Sequence, residues 1–137
     1  EKGKGRLRVA QSGIGAGIID SKGIVSAVNL AMKRSLGKLS LDPSHTLVLL
    51  DGSLKAPQLY INQKTIIRGD ESELAIRLAS IVAKVLRDRK MIQLAKKWPQ
   101  YGFESHKGYG TRKHRLAINK YGHCAIHRRT FCDKIVK

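Results

Sequence analysis

Apolar residues recur along this chain with changing period, and each change marks an element. Ile24, Val25, Val28, Ala31, Met32 and Leu36 return at helical spacing, which predicts a helix over Ile24–Leu39. "LDPSHT" reads as a turn. "TLVLLDG" is a compact apolar run ending in Asp-Gly, as a buried strand that stops abruptly would be. "QLYINQKTIIRGD" supplies a second strand region, best in "KTIIRGD". From Glu71 to Lys97 the period is helical again. Leu74, Leu78, Ile81, Val82, Val85 and Leu86 share one face, Arg77, Lys84, Asp88 and Lys96 lie elsewhere, and Pro99 ends the helix. A further helix is expected after Thr111, through "RKHRLAINKYG". Residues 1–8 read as a loop or terminus, and a short strand is expected at Leu7–Gln11, before the glycine-rich "GIGAG". No internal repeat or low-complexity segment interrupts the pattern.

Strand, strand, long helix is the order of an α/β domain with a mostly buried sheet flanked by helices. Ligands in such sheets gather at the carboxyl ends of strands. Both expected strands run into an aspartate, Asp51 in "LVLLDG" and Asp70 in "KTIIRGD", each beside a glycine that lets the backbone turn sharply. Two carboxylates brought to one sheet edge repel unless a cation lies between them. Mg²⁺ suits that place because it takes one or two protein carboxylates and keeps its other positions for water and phosphate oxygens. The same residues have plainer readings. Asp51 is a natural turn residue, and Asp70 with Glu73 three positions on forms a capping box for the long helix.

Composition adds the partner. The 137 residues suffice for one domain, and the core is expected to be mainly aliphatic, since hydrophobic content is 42% and aromatic content only 5%. Lys and Arg number 27 against 10 Asp and Glu, a net charge of +17 that favours a polyanion: nucleic acid first, an anionic membrane surface second. No apolar run is long enough to span a bilayer and no signal peptide is visible. Two cysteines, Cys124 and Cys132, make no disulfide framework, so a reduced, cytoplasmic setting is expected. The first residue is Glu1 rather than Met, which suggests that an upstream part is missing. "HCAIHRRTFC" offers His123, Cys124, His127 and Cys132 as competent zinc ligands, without a paired Cys-x-x-Cys knuckle.

Taken together, "LLDG", "QKTIIRGD", "ASIVAKVLRDRKM", "WPQYGFESHKGYGTRKH" and "IHRRTF" resemble bacterial ribonuclease HII, from about Ile18 to Phe131 in one order. The resemblance implies a ribonuclease H-like mixed sheet flanked by helices. It also implies cleavage of the RNA strand, or of embedded ribonucleotides, in RNA–DNA hybrid duplexes, with Mg²⁺ or Mn²⁺ held by four acidic residues. Asp51 and Asp70 match the third and fourth of these. The other two belong to an early D-E-x-G-R-G motif that this sequence does not contain, nor does it contain the D-S-K-K-L element; the "DSKG" at Asp20 matches a different segment. The expectation is therefore a single incomplete domain over 1–137 with a helical carboxyl-terminal region and the early strands absent. It would be the carboxyl-terminal part of an enzyme that is monomeric when complete and inactive in this form, or else a decayed or split form completed by another chain. A non-catalytic basic nucleic-acid-binding module is the alternative.

The stretch from Trp98 to His114 sets Tyr101, Phe103 and Tyr109 among glycines, histidines and cations. By the resemblance, "HKGYGT" faces the duplex and Tyr109 packs on the sugar at the RNA–DNA junction. An apolar ring face can press on deoxyribose where ribose would lose hydration. Gly108 and Gly110 would allow close backbone approach and Lys107 a phosphate contact, with Arg128 and Arg129 as further phosphate ligands. Tyr101 and Phe103 are expected at the core edge, pinning the loop. His106 and His114 are weaker candidates for phosphate contact or leaving-group assistance.

Overall fold

The computed structural model describes residues 7–134. The chain forms two compact units. One comprises residues 7–14 and Val25–Arg77; the other comprises Gly15–Ile24 and residues 78–134.

The first unit holds the carboxyl-terminal part of helix α1 (Ala16–Leu39), a 3₁₀ turn at Pro43–His45 and strands β1 (Val48–Asp51) and β2 (Gln63–Ile66). It also holds the short helix α2 (Gly69–Ser72) and the start of α3 (Leu74–Lys97). The two strands pair in parallel, with Val48 opposite Gln63 and Asp51 opposite Ile66. A parallel pair cannot close through a tight hairpin, so residues 52–62 cross over. That crossover contributes Ala56 and Tyr60 to a core with Leu50, against which Met32 and Leu36 of α1 and Val48 pack. The Gln63 side chain braces the crossover, accepting from the Ala56 N–H at 2.8 Å and donating to the Tyr60 carbonyl at 2.9 Å. Asp42 caps the 3₁₀ turn by accepting from the Ser44 N–H at 2.9 Å.

The apolar period placed α1 correctly but short. Helix begins at Ala16, and Gly23 breaks it with φ 80° and ψ 163°, so Asp20, Ser21 and Lys22 of "DSKG" are helical and its glycine is the kink. The expected strand at Leu7–Gln11 does not form. The segment finds no ladder partner among the described residues and is tied instead to the end of α1: Arg8 donates to the Leu39 carbonyl at 2.6 Å and Lys38 to that of Gln11 at 2.7 Å. The second strand also ends earlier than "KTIIRGD" suggested. It stops at Ile66, because Arg68 turns the chain through the left-handed region at φ 55°.

The second unit is helical. It contains the beginning of α1, most of α3, a 3₁₀ turn at Pro99–Tyr101, α4 (Phe103–His106), α5 (Arg112–Tyr121) and α6 (Arg129–Cys132). Pro99 follows the end of α3, and Thr111 caps α5, its hydroxyl accepting from the His114 N–H at 3.3 Å. Ala95, Tyr101, Phe103, Ile118 and Cys132 form the core. Phe103 is the most enclosed large side chain, at 1% exposure. Tyr101 and Phe103 therefore centre this core rather than edge it. They stack at 5.4 Å, and the Tyr101 hydroxyl donates to the Gly122 carbonyl at 2.8 Å. The apolar stripe of α3 is less enclosed: Leu74, Leu78, Ile81 and Val85 are exposed among the described residues. No described helix is long and apolar enough to cross a membrane.

Candidate active site and nucleic-acid interface

The acidic pair lies in the first unit. Asp51 is the last residue of β1, half-buried, and its Oδ1 accepts the Gly69 N–H at 2.9 Å. Asp70 follows Gly69 directly and stands exposed in the first turn of α2. Sequence reasoning put Asp70 at a strand end; it is on a helix start, delivered there by the turn at Arg68. The capping box with Glu73 does not form, since Arg68 is the cap residue of α2 and Glu73 closes that helix through its N–H to the Gly69 carbonyl at 2.8 Å. One amide thus joins the two acidic positions. Gly69 has no room for a side chain: a Cβ would stand 2.5 Å from Ile76 Cδ1 and 3.5 Å from Asp51 Oδ1.

Around the pair, the cations are engaged elsewhere. Arg77 donates from Nε to the Asp70 carbonyl at 2.9 Å and from its terminal nitrogen to the Glu71 carbonyl, so it holds the backbone of α2. Arg68 pairs with Glu71 at 2.7 Å. Among the described residues neither Asp51 nor Asp70 takes part in a salt bridge. Both carboxylates therefore keep oxygens free for a hard cation. No group of three or more metal-ligating side chains forms among the described residues. Two carboxylates fit the number that Mg²⁺ or Mn²⁺ draws from a protein while phosphate and water fill the rest. The zinc constellation does not assemble, because His127 spends Nδ1 on the Cys124 N–H at 2.9 Å and Nε2 on His114 at 3.0 Å. Burial pushes both the Cys124 and Cys132 thiols up, away from the thiolate that zinc requires.

The basic, aromatic loop lies in the second unit. Lys107 at φ 52° and Gly108 at φ 79° reverse the chain after α4 and present Tyr109, whose side is 57% exposed. That φ favours glycine at 108, and a Cβ there would press on Met91 Cε at 3.1 Å. Gly110 is exposed. The Tyr109 ring lies under the Arg87 guanidinium at 4.5 Å, and the same arginine donates to the Lys107 carbonyl at 3.0 Å. Arg87, in the "ASIVAKVLRDRKM" stretch of α3, thereby frames the loop. Lys107 bends back to the Glu104 carbonyl. Lys84 pairs with Asp88 at 3.1 Å, and Arg89 is exposed.

His106 and His114 are buried, at 8% and 4% exposure, which removes them from contact with phosphate. They support the loop from beneath. Burial lowers the His114 pKa, against the opposing bond to the Tyr109 carbonyl, and lowers that of His127 to about 4, with the neighbouring His114 and His123 adding to the effect. Arg128 is half-buried with its guanidinium 4.7 Å over the Phe131 ring, and Arg129 is exposed. Asp20 holds this segment: its carboxylate accepts from the Arg129 N–H at 2.9 Å, the Thr130 N–H at 3.3 Å and the Thr130 hydroxyl at 2.6 Å. Those bonds, the hydroxyl's above all, depress the Asp20 pKa. No local pattern in the sequence marks a partner so distant.

Comparison with known proteins decides the family. The ribonuclease HII family model matches residues 12–134, nearly the whole described chain. The chain belongs to the ribonuclease HII family. It is 50% identical over 114 residues to ribonuclease HII of Endomicrobium trichonymphae, covering 83% of this chain and 53% of that one. With the Geotalea daltonii (strain DSM 22248 / JCM 15807 / FRC-32) ribonuclease HII it shares 51% over 116 residues, 85% and 52% of the two chains. With that of Caldicellulosiruptor bescii it shares 45% over 119 residues, 87% and 56%. The chain spans about half the length of these curated relatives. Membership accords with the small parallel sheet packed on helix in the first unit.

Proposed function

We propose that this chain supplies part of an endonuclease that hydrolyses the RNA strand, or single embedded ribonucleotides, in RNA–DNA hybrid duplexes. The observation that carries the reading is the Gly69 amide, which bonds the Asp51 carboxylate while fixing Asp70 one residue away. In this reading Asp51 and Asp70 hold Mg²⁺ or Mn²⁺. When bound, such ions activate water for attack on the phosphodiester and stabilise the leaving oxygen. Tyr109 lays its exposed face on the sugar at the junction. Lys107, Gly108, Gly110, Arg128 and Arg129 contact the backbone and set the register. The charge of +17 draws the duplex in, and the reaction belongs in the cytoplasm.

The family resemblance calls for four acids, and the D-E-x-G-R-G motif that carries two of them does not occur in these 137 residues. Binding without turnover is accordingly the behaviour expected of this chain alone. Its affinity for a hybrid duplex should fall with salt at a slope of about 0.9 per phosphate contacted. Mg²⁺ should raise that affinity through Asp51 and Asp70, and Asp70→Asn should cancel the Mg²⁺ effect while sparing binding in its absence. Affinity indifferent to Mg²⁺ in both proteins would leave the alternative, a basic binding module without a metal role.

A further inference from the structure

Three buried histidines have no part in this reading, yet their hydrogen bonds form an ordered set. A backbone N–H only donates and a carbonyl only accepts, so the bonds assign each ring's proton. His127 Nδ1 faces the Cys124 N–H at 2.9 Å and must be bare, which puts its proton on Nε2. That nitrogen is 3.0 Å from His114 Nε2 and donates to it. The His114 proton is then on Nδ1, where it donates to the Tyr109 carbonyl at 3.0 Å. The sequence runs in one direction, Cys124 N–H to His127 to His114 to Tyr109, with both rings neutral and every nitrogen used. His106 brackets the loop separately, donating from Nε2 to the Tyr101 carbonyl at 2.8 Å and accepting the Gly108 N–H at 3.2 Å. It stacks on His114 at 4.5 Å.

This line ties together the two candidate contact segments of the second unit. One is the Tyr109 loop, whose carbonyl also takes the Thr111 N–H at 2.8 Å and so has both lone pairs directed. The other begins with Arg128, bonded in sequence to His127. An aliphatic pair would fill the same volume at less cost in desolvation, but it could not orient a carbonyl. We propose that His114 and His127 are positioning residues that hold the Tyr109 loop in register with the Arg128–Arg129 segment, so that both meet one nucleic-acid backbone. This rests on the hybrid-binding reading above.

The test is affinity of the full chain for a labelled RNA–DNA hybrid duplex. In His127→Asn the shorter side chain keeps an acceptor for the Cys124 N–H but falls short of His114. In His127→Gln the terminal amide reaches the place of Nε2 and donates to His114. Asn is expected to weaken hybrid binding about tenfold, equivalent to about 1.4 kcal/mol, and Gln to restore most of it. In a Tyr109→Ala background the same Asn substitution should change affinity less than about twofold, since the contact it positions is already gone. Equal weakening in both backgrounds would show a general packing role and overturn the proposal, as would full affinity in a folded His127→Asn. If His127→Asn does not fold, His114→Asn carries the same comparison, since its amide keeps the Tyr109 bond but cannot reach His127. Tyr109→Ala binding hybrid as well as the native chain would instead remove the Tyr109 reading itself, and the positioning role with it.

Discussion

Acidification from neutral pH to about pH 4 should destabilise the second unit through His127. The residue is 6% exposed, and burial lowers its pKa from the ordinary 6.5 to about 4. The unfolded chain therefore takes up a proton at a pH where the folded chain does not. Stability from this group is complete above pH 6.5, falls as pH drops toward 4, and is fully lost below it. Each unit of pKa difference is worth about 1.4 kcal/mol, so the interval amounts to roughly 3 kcal/mol. That is a large share of the 5–15 kcal/mol typical of a domain. His114 shifts in the same direction and shares a hydrogen bond with His127, so the protons belong to the pair rather than to either ring. The titratable residues facing His127 are His114, His123, Tyr101 and Cys124, and none is a carboxylate that would favour an imidazolium. Asp20 and Asp42, whose pKa values are lowered, lose their contribution only at lower pH, below their ordinary 3.8. Urea unfolding followed by circular dichroism across this interval, in moderate salt to screen the positive surface, measures the slope. A native chain with flat stability from pH 6.5 to 4, or a His127→Gln variant with an undiminished slope, would refute the reasoning.

Gly69→Ala should cost about 1–3 kcal/mol, the range for overpacking a closed site, because its Cβ would meet Ile76 Cδ1 at 2.5 Å. Urea midpoints would read the loss. Tyr101→Phe removes the hydroxyl bond to the Gly122 carbonyl and should cost about 0.5–1.5 kcal/mol in thermal unfolding, with hybrid affinity unchanged.

Much of the scaffold was legible because it depends on local periodicity. The apolar run to Asp51 is β1, the helical repeat is α3, and Thr111 caps α5 where a threonine before a helical pattern suggests. The errors arise where one residue's conformation or a distant partner decides. Arg68 in the left-handed region ends β2 and moves Asp70 onto a helix, which no hydrophobic pattern records. His106 and His114 sit among cations in the sequence and look superficial; packing of Phe103 against their rings, at 6.0 and 5.4 Å, turns them inward. Type and neighbourhood single out Asp51 and Asp70 as candidates, but the Gly69 amide that relates them is a tertiary fact.

The bonds from Asp20 to Thr130 join residues 110 positions apart, and they lie within one unit that draws on both early and late chain. On the ribosome, the first turns of α1 emerge long before their partner exists. This contact cannot form as translation proceeds; it closes in a late step, once the Arg129–Thr130 segment is free, with the loop-closure entropy still to be overcome.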